Sequence, residues 1–325
     1  MFGVPQGSLL GAKLYTILVN DLPEAITEGE VTLFADDTSI YYIGDNVDKI
    51  IDSLNLAMEQ VLGWCRRNKL TVHPGKTEAM LLMKRAFMGP LKPIKYGESC
   101  ISIVDSVKYL GITIDNKLTW DKHISTTCKK FSSKLGALKR MKFLPTNVLE
   151  EIYYKTVISR ITYCISVWGN CSVALFQKLE TIHSRAARQI FNLPRGYPDD
   201  VSLTHAKWQP LSCIYKRSII KWMHKIYFNK ADQSLQDLFE KNLQQNYALR
   251  DPFTFKIPRY KKEIGRNSLQ YRGPFIWNMI PSNIKSIVNK DKFKEKLKTL
   301  NDFIKNFSFR REAILISKKD SDFYY

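Results

Sequence analysis

Phe34-Ala35-Asp36-Asp37-Thr38 decides how this chain is read. Apolar, β-compatible residues stand on both sides, Val31 to Phe34 before it and Ile40 to Ile43 after it. That pattern predicts a β-hairpin with the acidic pair at its tip. Neighbouring residues of a strand point to opposite faces, so one carboxylate faces a site and the other supports it. Phosphoryl transfer by the two-metal route needs hard oxygen ligands around divalent cations about 4 Å apart. Two adjacent carboxylates repel one another unless such cations neutralise them. Taken alone, the tetrapeptide Phe34-Ala35-Asp36-Asp37 also fits an ordinary acidic turn, because Asp is common in turns.

The flanking sequence narrows the choice. Upstream lies Gly3-Val4-Pro5-Gln6-Gly7-Ser8, a loop signal ahead of an apolar helical stretch from Leu9 to Asp21. Gly3, Gly7 and Ser8 are small enough to let a nucleotide or a template strand approach the backbone. Gln6 offers an uncharged hydrogen-bonding edge. Downstream, the Pro74-Gly75 turn presents Lys76, a residue type suited to a phosphate. Between the acidic pair and that turn, Val47, Ile50, Ile51, Leu54, Met58, Val61, Leu62 and Cys65 keep the 3,4 spacing of one helical face. The helix is expected from Asn46 to Asn68, capped by Asp45 or Asn46. Strands are expected over Thr77 to Met83, Ile94 to Tyr96, Cys100 to Val104 and Val107 to Ile114. Together these make an α+β layer arrangement.

From Trp120 onward the periodicity is helical. Segments Trp120–Met141, Asn147–Trp168 and Val173–Leu193 are amphipathic, and Pro194-Arg195-Gly196-Tyr197-Pro198 marks a boundary. Leu211–Phe228 and Lys290–Phe307 read as further helices, with irregular, basic sequence between them. The expected domains are therefore 1–118, 119–195 and 196–325.

Charge follows the same division. Residues 1–122 hold 13 Lys+Arg against 15 Asp+Glu, residues 123–195 hold 12 against 3, and residues 196–325 hold 25 against 13, within a net charge of +19. A near-neutral carboxylate-bearing module followed by a basic remainder suits chemistry on nucleic acid. Lys129, Lys130, Lys134, Lys139 and Arg140 crowd one helix, where sequence-independent phosphate contacts are expected. His183, Arg185 and Arg188 are candidates for the same groove. Lys216, Arg217, Lys221 and Lys225 interleave with Tyr215, Trp222 and Tyr227, a composition that suits stacked single-stranded bases as well as a packed core. The six cysteines are scattered without a C-x-x-C pair, no apolar run reaches about 18 residues, and no basic-then-apolar leader is present. An intracellular protein, cytoplasmic or nuclear and not secreted, with no membrane partner, is expected.

These blocks, in this order, resemble the reverse transcriptase of non-LTR (LINE-type, jockey-like) retrotransposons. The resemblance implies a partial polymerase palm of antiparallel strands with packed helices over residues 1–118. It implies a helical thumb over 119–195 and a mostly helical basic C-terminal region over 196–325. It implies that Asp36 and Asp37 hold two Mg²⁺ ions. Gly3, Pro5, Gln6, Gly7 and Ser8 would position nucleotide and template, and Lys76 would sit near the departing pyrophosphate. Val107-Lys108-Tyr109-Leu110-Gly111-Ile112 is similar to the strand supporting the primer end, through Tyr109, Leu110 and Gly111. Trp64–Lys76, Leu118-Thr119-Trp120, His123-Ile124, Tyr271-Arg272-Gly273-Pro274 and Trp277-Asn278 continue the likeness, with His73 where the family usually has Asn.

The implied function is RNA-directed DNA polymerisation on an RNA template from a DNA primer, using deoxynucleotides. The family's first catalytic Asp falls before the Gly3 block, outside these 325 residues, so the chain alone is expected to be inactive. The alternative is a non-catalytic chain that binds RNA or RNA–DNA duplex.

Overall fold

The computed structural model describes residues 8–83, 89–194, 196–242 and 251–305. The chain is α+β and divides into two compact units, Met1–Leu118 and Thr119–Tyr325.

In the first unit, helix α1 (Leu9–Val19) leads to a hairpin of β1 (Glu30–Phe34) and β2 (Asp37–Tyr41). Helix α2 (Val47–Arg67) follows, and its N-cap is Asn46, whose side chain accepts the Lys49 N–H at 3.1 Å. Basic Arg66 and Arg67 in the last turn complement the helix dipole. This helix is the spine of the unit. Near its start, Ile51 is buried with Ile94 and Ile101 of the sheet. Towards its end, Ala57, Val61, Trp64 and Cys65 pack with Val19, Leu22 and Ile26, and the hairpin residues Val31, Leu33 and Ile40 close over them. The Trp64 indole N–H donates to Asp21 Oδ1 at 3.2 Å, so burying the ring strands no donor.

The sheet comprises β3 (Glu78–Ala79), β4 (Ile94–Tyr96) and β5 (Ser99–Ile103), in the order β3-β5-β4. Asn55 of α2 finishes its edge. Its Oδ1 accepts the Lys95 N–H at 2.7 Å and its Nδ2 donates to the Pro93 carbonyl at 3.2 Å.

Three expectations for this unit need correction. The strand expected over Thr77 to Met83 is confined to Glu78–Ala79. The strands are not all antiparallel, because β3 runs parallel to β5. Val107 to Ile114 is not one strand but a hairpin of β6 (Ser106–Tyr109) and β7 (Ile112–Asp115). Leu110 and Gly111 form its two-residue turn, with φ of 45° and 82°. Positive φ at both central positions is the geometry that matches the twist of paired strands, and Gly111 supplies one of them without steric cost.

The second unit is helical. Helix α3 (Asp121–Arg140) packs on α5 (Val173–Ile190), and α4 (Thr146–Tyr153) runs between them in sequence. Continuous helix over Asn147–Trp168 is not found. After α4 the backbone widens into a π-helical turn at Tyr154–Ile158, and Cys164 breaks it at φ 49°. Thr156 and Ser159 hydroxyls bond back to the Ile152 and Lys155 carbonyls, at 2.7 and 2.6 Å, within this widened stretch.

Helices α6 (Asp199–His205), α7 (Leu211–Tyr227), α8 (Leu269–Met279) and α9 (Lys290–Thr299) complete the unit. Helix α8 lies in a stretch read as irregular. Its Phe275, Ile276 and Trp277 are buried, and the Trp277 indole donates to the Phe253 carbonyl at 2.7 Å. Packing overrides the helix-breaking signal of Pro274. Helices on both sides of residue 195 share a core: Glu180 of α5 accepts the Leu211 and Ser212 N–H groups at the start of α7.

Candidate active site

The hairpin register brings Phe34 opposite Asp37, leaving Ala35 and Asp36 as a two-residue turn. The acidic pair is therefore split between turn and strand. Asp36 is the second turn residue and Asp37 opens β2. Ala35 has φ 51°, a left-handed conformation that glycine would adopt more easily. Phe34, Ala35, Asp36 and Asp37 are all exposed, so both carboxylates project from an end held by a packed hairpin base. Neither is in an ion pair among the described residues.

Tyr15 is a further residue of this site, outside those expected above. It stands on α1, partly buried against the cluster of Val61 and Trp64, near enough to Asp36 to feel its charge. Burial first, and then the negative charge of Asp36, push its phenol above the usual tyrosine range. The hydroxyl stays protonated at neutral pH. The signal that could have found it is helical spacing: Tyr15 lies four residues before Val19, on the buried side of α1.

The other expected residues are placed as follows. Gly3, Pro5, Gln6 and Gly7 lie outside the described residues. Ser8 is the N-cap residue of α1 but makes no side-chain capping bond. Lys76 ends a tight 3₁₀ turn, Pro74–Lys76, beside β3. It is exposed, and no hydrogen bond or ion pair joins it to Asp36 or Asp37. Tyr109, Leu110 and Gly111 form the bend of the β6–β7 hairpin.

Magnesium is the metal the resemblance implies, and the donor chemistry fits. Asp36 and Asp37 are hard oxygen donors, exposed and without an ion-pair partner among the described residues. Among the described residues, no group of three or more His, Cys, Asp or Glu comes together to make a larger cage.

In the second unit, exposed Lys129, Lys130, Lys139 and Arg140 leave α3 a basic outer face. Lys134 departs from the expectation. Its Nζ donates to the Thr156 carbonyl at 2.6 Å, inside the π-helical turn, and burial holds its pKa below the ordinary lysine value. His183 and Arg188 are also structural. His183 is 1% exposed and bonded on both nitrogens. Arg188 pairs with Asp199 at 2.6 Å and donates to the Tyr197 carbonyl. Lys216 is buried, donating to the Ile304 carbonyl at 2.8 Å. No helix among the described residues is long and apolar enough to cross a membrane.

With this geometry in place, the comparisons assign the class. Residues 1–114 match the family model described as reverse transcriptase (RNA-dependent DNA polymerase). The chain is 26% identical over 203 residues to the probable RNA-directed DNA polymerase from transposon BS of Drosophila melanogaster, a match covering 59% of this chain and 22% of that protein. It is 26% identical over 206 residues to the RNA-directed DNA polymerase from mobile element jockey of the same species, covering 59% and 22%. The X-element polymerase of that fly is 24% identical over 197 residues, covering 58% and 21%. No solved structure matches the chain. Residues 1–114 are thus similar to reverse transcriptases, and the chain resembles the jockey-like, non-LTR retrotransposon polymerases, with a match that spans about a fifth of the length of these curated relatives.

Proposed function

We propose that the first unit is palm, carrying part of a two-metal nucleotidyl-transfer centre, and that Asp36 and Asp37 are its metal ligands. One observation carries this reading: within the reverse-transcriptase match, a hairpin partly buried at its base projects two adjacent carboxylates that have no ion-pair partner among the described residues. Asp36, in the turn, reaches past the strand ends, while Asp37 is fixed by its pairing with Phe34. Bound at this point, divalent cations would stabilise charge on the entering and leaving oxygens.

Gln6 and its loop are assigned to nucleotide and template, Lys76 to the departing pyrophosphate, and the Tyr109-Leu110-Gly111 bend to the primer end. The helices after Thr119 are assigned to a thumb, with Lys129, Lys130, Lys139 and Arg140 on phosphates. The partners of the whole polymerase are an RNA template, a DNA primer and deoxynucleotides.

Two measurements test this reading. Mn²⁺ added to the purified chain is expected to enhance water-proton relaxation, and Asp36→Asn is expected to weaken that binding at least tenfold. Undiminished binding in the variant overturns the assignment. In primer extension on a homopolymer template, the chain by itself is expected to incorporate nothing, because two carboxylates make an incomplete cage. Incorporation abolished by Asp36→Ala would overturn the claim of incompleteness while keeping the metal role.

A further inference from the structure

Helices α7 and α9 present facing cationic ridges. Arg217, Lys221 and Lys225 recur at i, i+4 and i+8 on α7, and Lys290, Lys294 and Lys298 recur at the same spacing on α9. Each step climbs about 6 Å along its helix. The two helices are locked together below the ridges, where His224 stacks on Phe293 with ring centroids 3.9 Å apart. Above that floor lies a cavity of about 280 Å³ lined by Ser218, Lys221, Trp222, Lys225, Lys290 and Lys294.

Among the described residues, no acidic side chain lines this cavity. Asp291 meets Lys294 at 2.9 Å from an outer position where its own side chain is 85% exposed, and an exposed pair of this kind is weak. Burial, followed by the charges of Arg217, Lys294 and Lys298, lowers the pKa of Lys221. At the head of the ridge, Arg217 Nε and Nη2 are buried with no hydrogen-bond partner. Trp222 stands partly exposed among those cationic walls, with Lys225 Nζ 4.3 Å from its centroid, while His224 and Phe293 form the floor. A fold that gathers six cations against one exposed carboxylate, Asp291, carries a repulsive cost, which an external polyanion relieves.

We propose that the α7–α9 groove is a binding site for single-stranded RNA, with the two lysine ridges on successive phosphates and Trp222 stacking an unpaired base. The choice of RNA rests on the polymerase reading above; the groove itself does not. A narrow groove with an aromatic ring inside it suits a strand whose bases are splayed, rather than a duplex whose bases are already stacked.

The test uses the full chain and a fluorescein-labelled single-stranded RNA 20-mer, titrated across a salt series. The variant Lys221→Gln/Lys225→Gln/Lys294→Gln/Lys298→Gln is compared with Lys178→Gln/Lys207→Gln/Arg259→Gln/Lys261→Gln, which removes equal charge from exposed positions elsewhere. The groove variant is expected to flatten the log Kd against log salt slope by about 2 to 3, at roughly 0.7 per lost phosphate contact. The control variant is expected to change it by less than half as much. Trp222→Ala is expected to weaken binding by about five- to 150-fold.

Melting temperature guards against misfolding. Relieved repulsion predicts a groove variant at least as stable as the parent. Equal slopes for the two quadruple variants would overturn the groove while leaving the carboxylate site untouched. So would a groove variant that melts lower and binds normally when folded. Groove-dependent binding to phosphatidylserine vesicles without RNA binding would overturn the choice of ligand. Failure of the parent chain to bind RNA at all would overturn the proposal whatever Mn²⁺ does at Asp36.

Discussion

Replacing His183 tests the core of the second unit through pH. Its Nε2 lies 3.0 Å from the Gln209 carbonyl oxygen, which can only accept, so Nε2 carries the proton. In a neutral ring Nδ1 is then the acceptor, and the Tyr153 hydroxyl donates to it at 2.5 Å. Tyr153 in turn stacks on Trp208 at 4.5 Å, and Trp208 donates to Glu150 at 2.6 Å. Charging the ring would turn an acceptor into a second donor facing the hydroxyl, in a site sealed from water.

Burial pushes the His183 pKa down to about 4 against an ordinary 6.5, with the Gln209 bond opposing only part of the shift. Between those values the unfolded chain holds a proton that the native chain does not. Stability therefore rises with pH across the window: the full contribution is present above about 6.5 and is lost as pH falls towards 4. At 1.36 kcal/mol per unit, lowering the pH from 7.5 to 5.0 costs about 2 kcal/mol through this residue alone. Urea unfolding of the parent chain and of His183→Gln at the two pH values measures it. The other titrating groups are common to both proteins, so the difference in pH dependence isolates the histidine. The same 7.5-to-5.0 loss in both chains, or an imidazole proton resonance titrating near 6.5, would refute the tautomer and the sealed site together.

Two further outcomes are expected. Ala35→Gly should leave the chain as stable or raise its stability by up to about 1 kcal/mol, because glycine adopts φ 51° without the Cβ clash; a measured loss above 1 kcal/mol in urea unfolding would show that the turn is not strained. Gly169→Ala should cost about 3 kcal/mol or more in the same assay, since a Cβ there would stand 2.3 Å from the ring of buried Tyr215 and 2.5 Å from the Ile165 carbonyl. A change within 0.5 kcal/mol would mean that Tyr215 is free to move.

Local signals made part of this architecture legible. The 3,4 apolar spacing and the Asn46 cap placed α2 to within a residue at each end, and the two apolar runs around Ala35-Asp36 marked their hairpin. The β6–β7 bend was missed because Val107 to Ile114 is apolar enough to read as continuous, while its turn depends on positive φ at Leu110, which no residue type announces. Helix α8 was missed for the opposite reason. Pro274 reads as a breaker, yet burial of Phe275, Ile276 and Trp277 decides the conformation. Charge was the least legible property. Lys216 and Arg217 are neighbours in sequence but about 100° apart around α7, so one is spent on the Ile304 carbonyl and the other begins the ridge. Lys134, His183 and Arg188 looked like ligand-facing groups for the same reason: a sequence shows that a side chain can bind, not which partner reaches it first.

What separates the candidate sites from the rest of the molecule is which charges the fold leaves uncompensated. Where a charge serves structure, its partner is present: Arg188 has Asp199, Lys285 has Asp251, and Glu180 has the N–H groups at the start of α7. At the β1–β2 turn, two carboxylates share one end with no ion-pair partner among the described residues. On the α7–α9 ridges, Lys221, Lys225, Lys290 and Lys294 line a cavity whose walls, among the described residues, hold no carboxylate. Each arrangement costs stability in the free chain that a neutral substitution would recover, which is the mark of a site kept for a ligand of opposite sign. The two signs call for different ligands, a small hard cation in the first unit and an extended polyanion in the second. Copying a nucleic-acid template requires both.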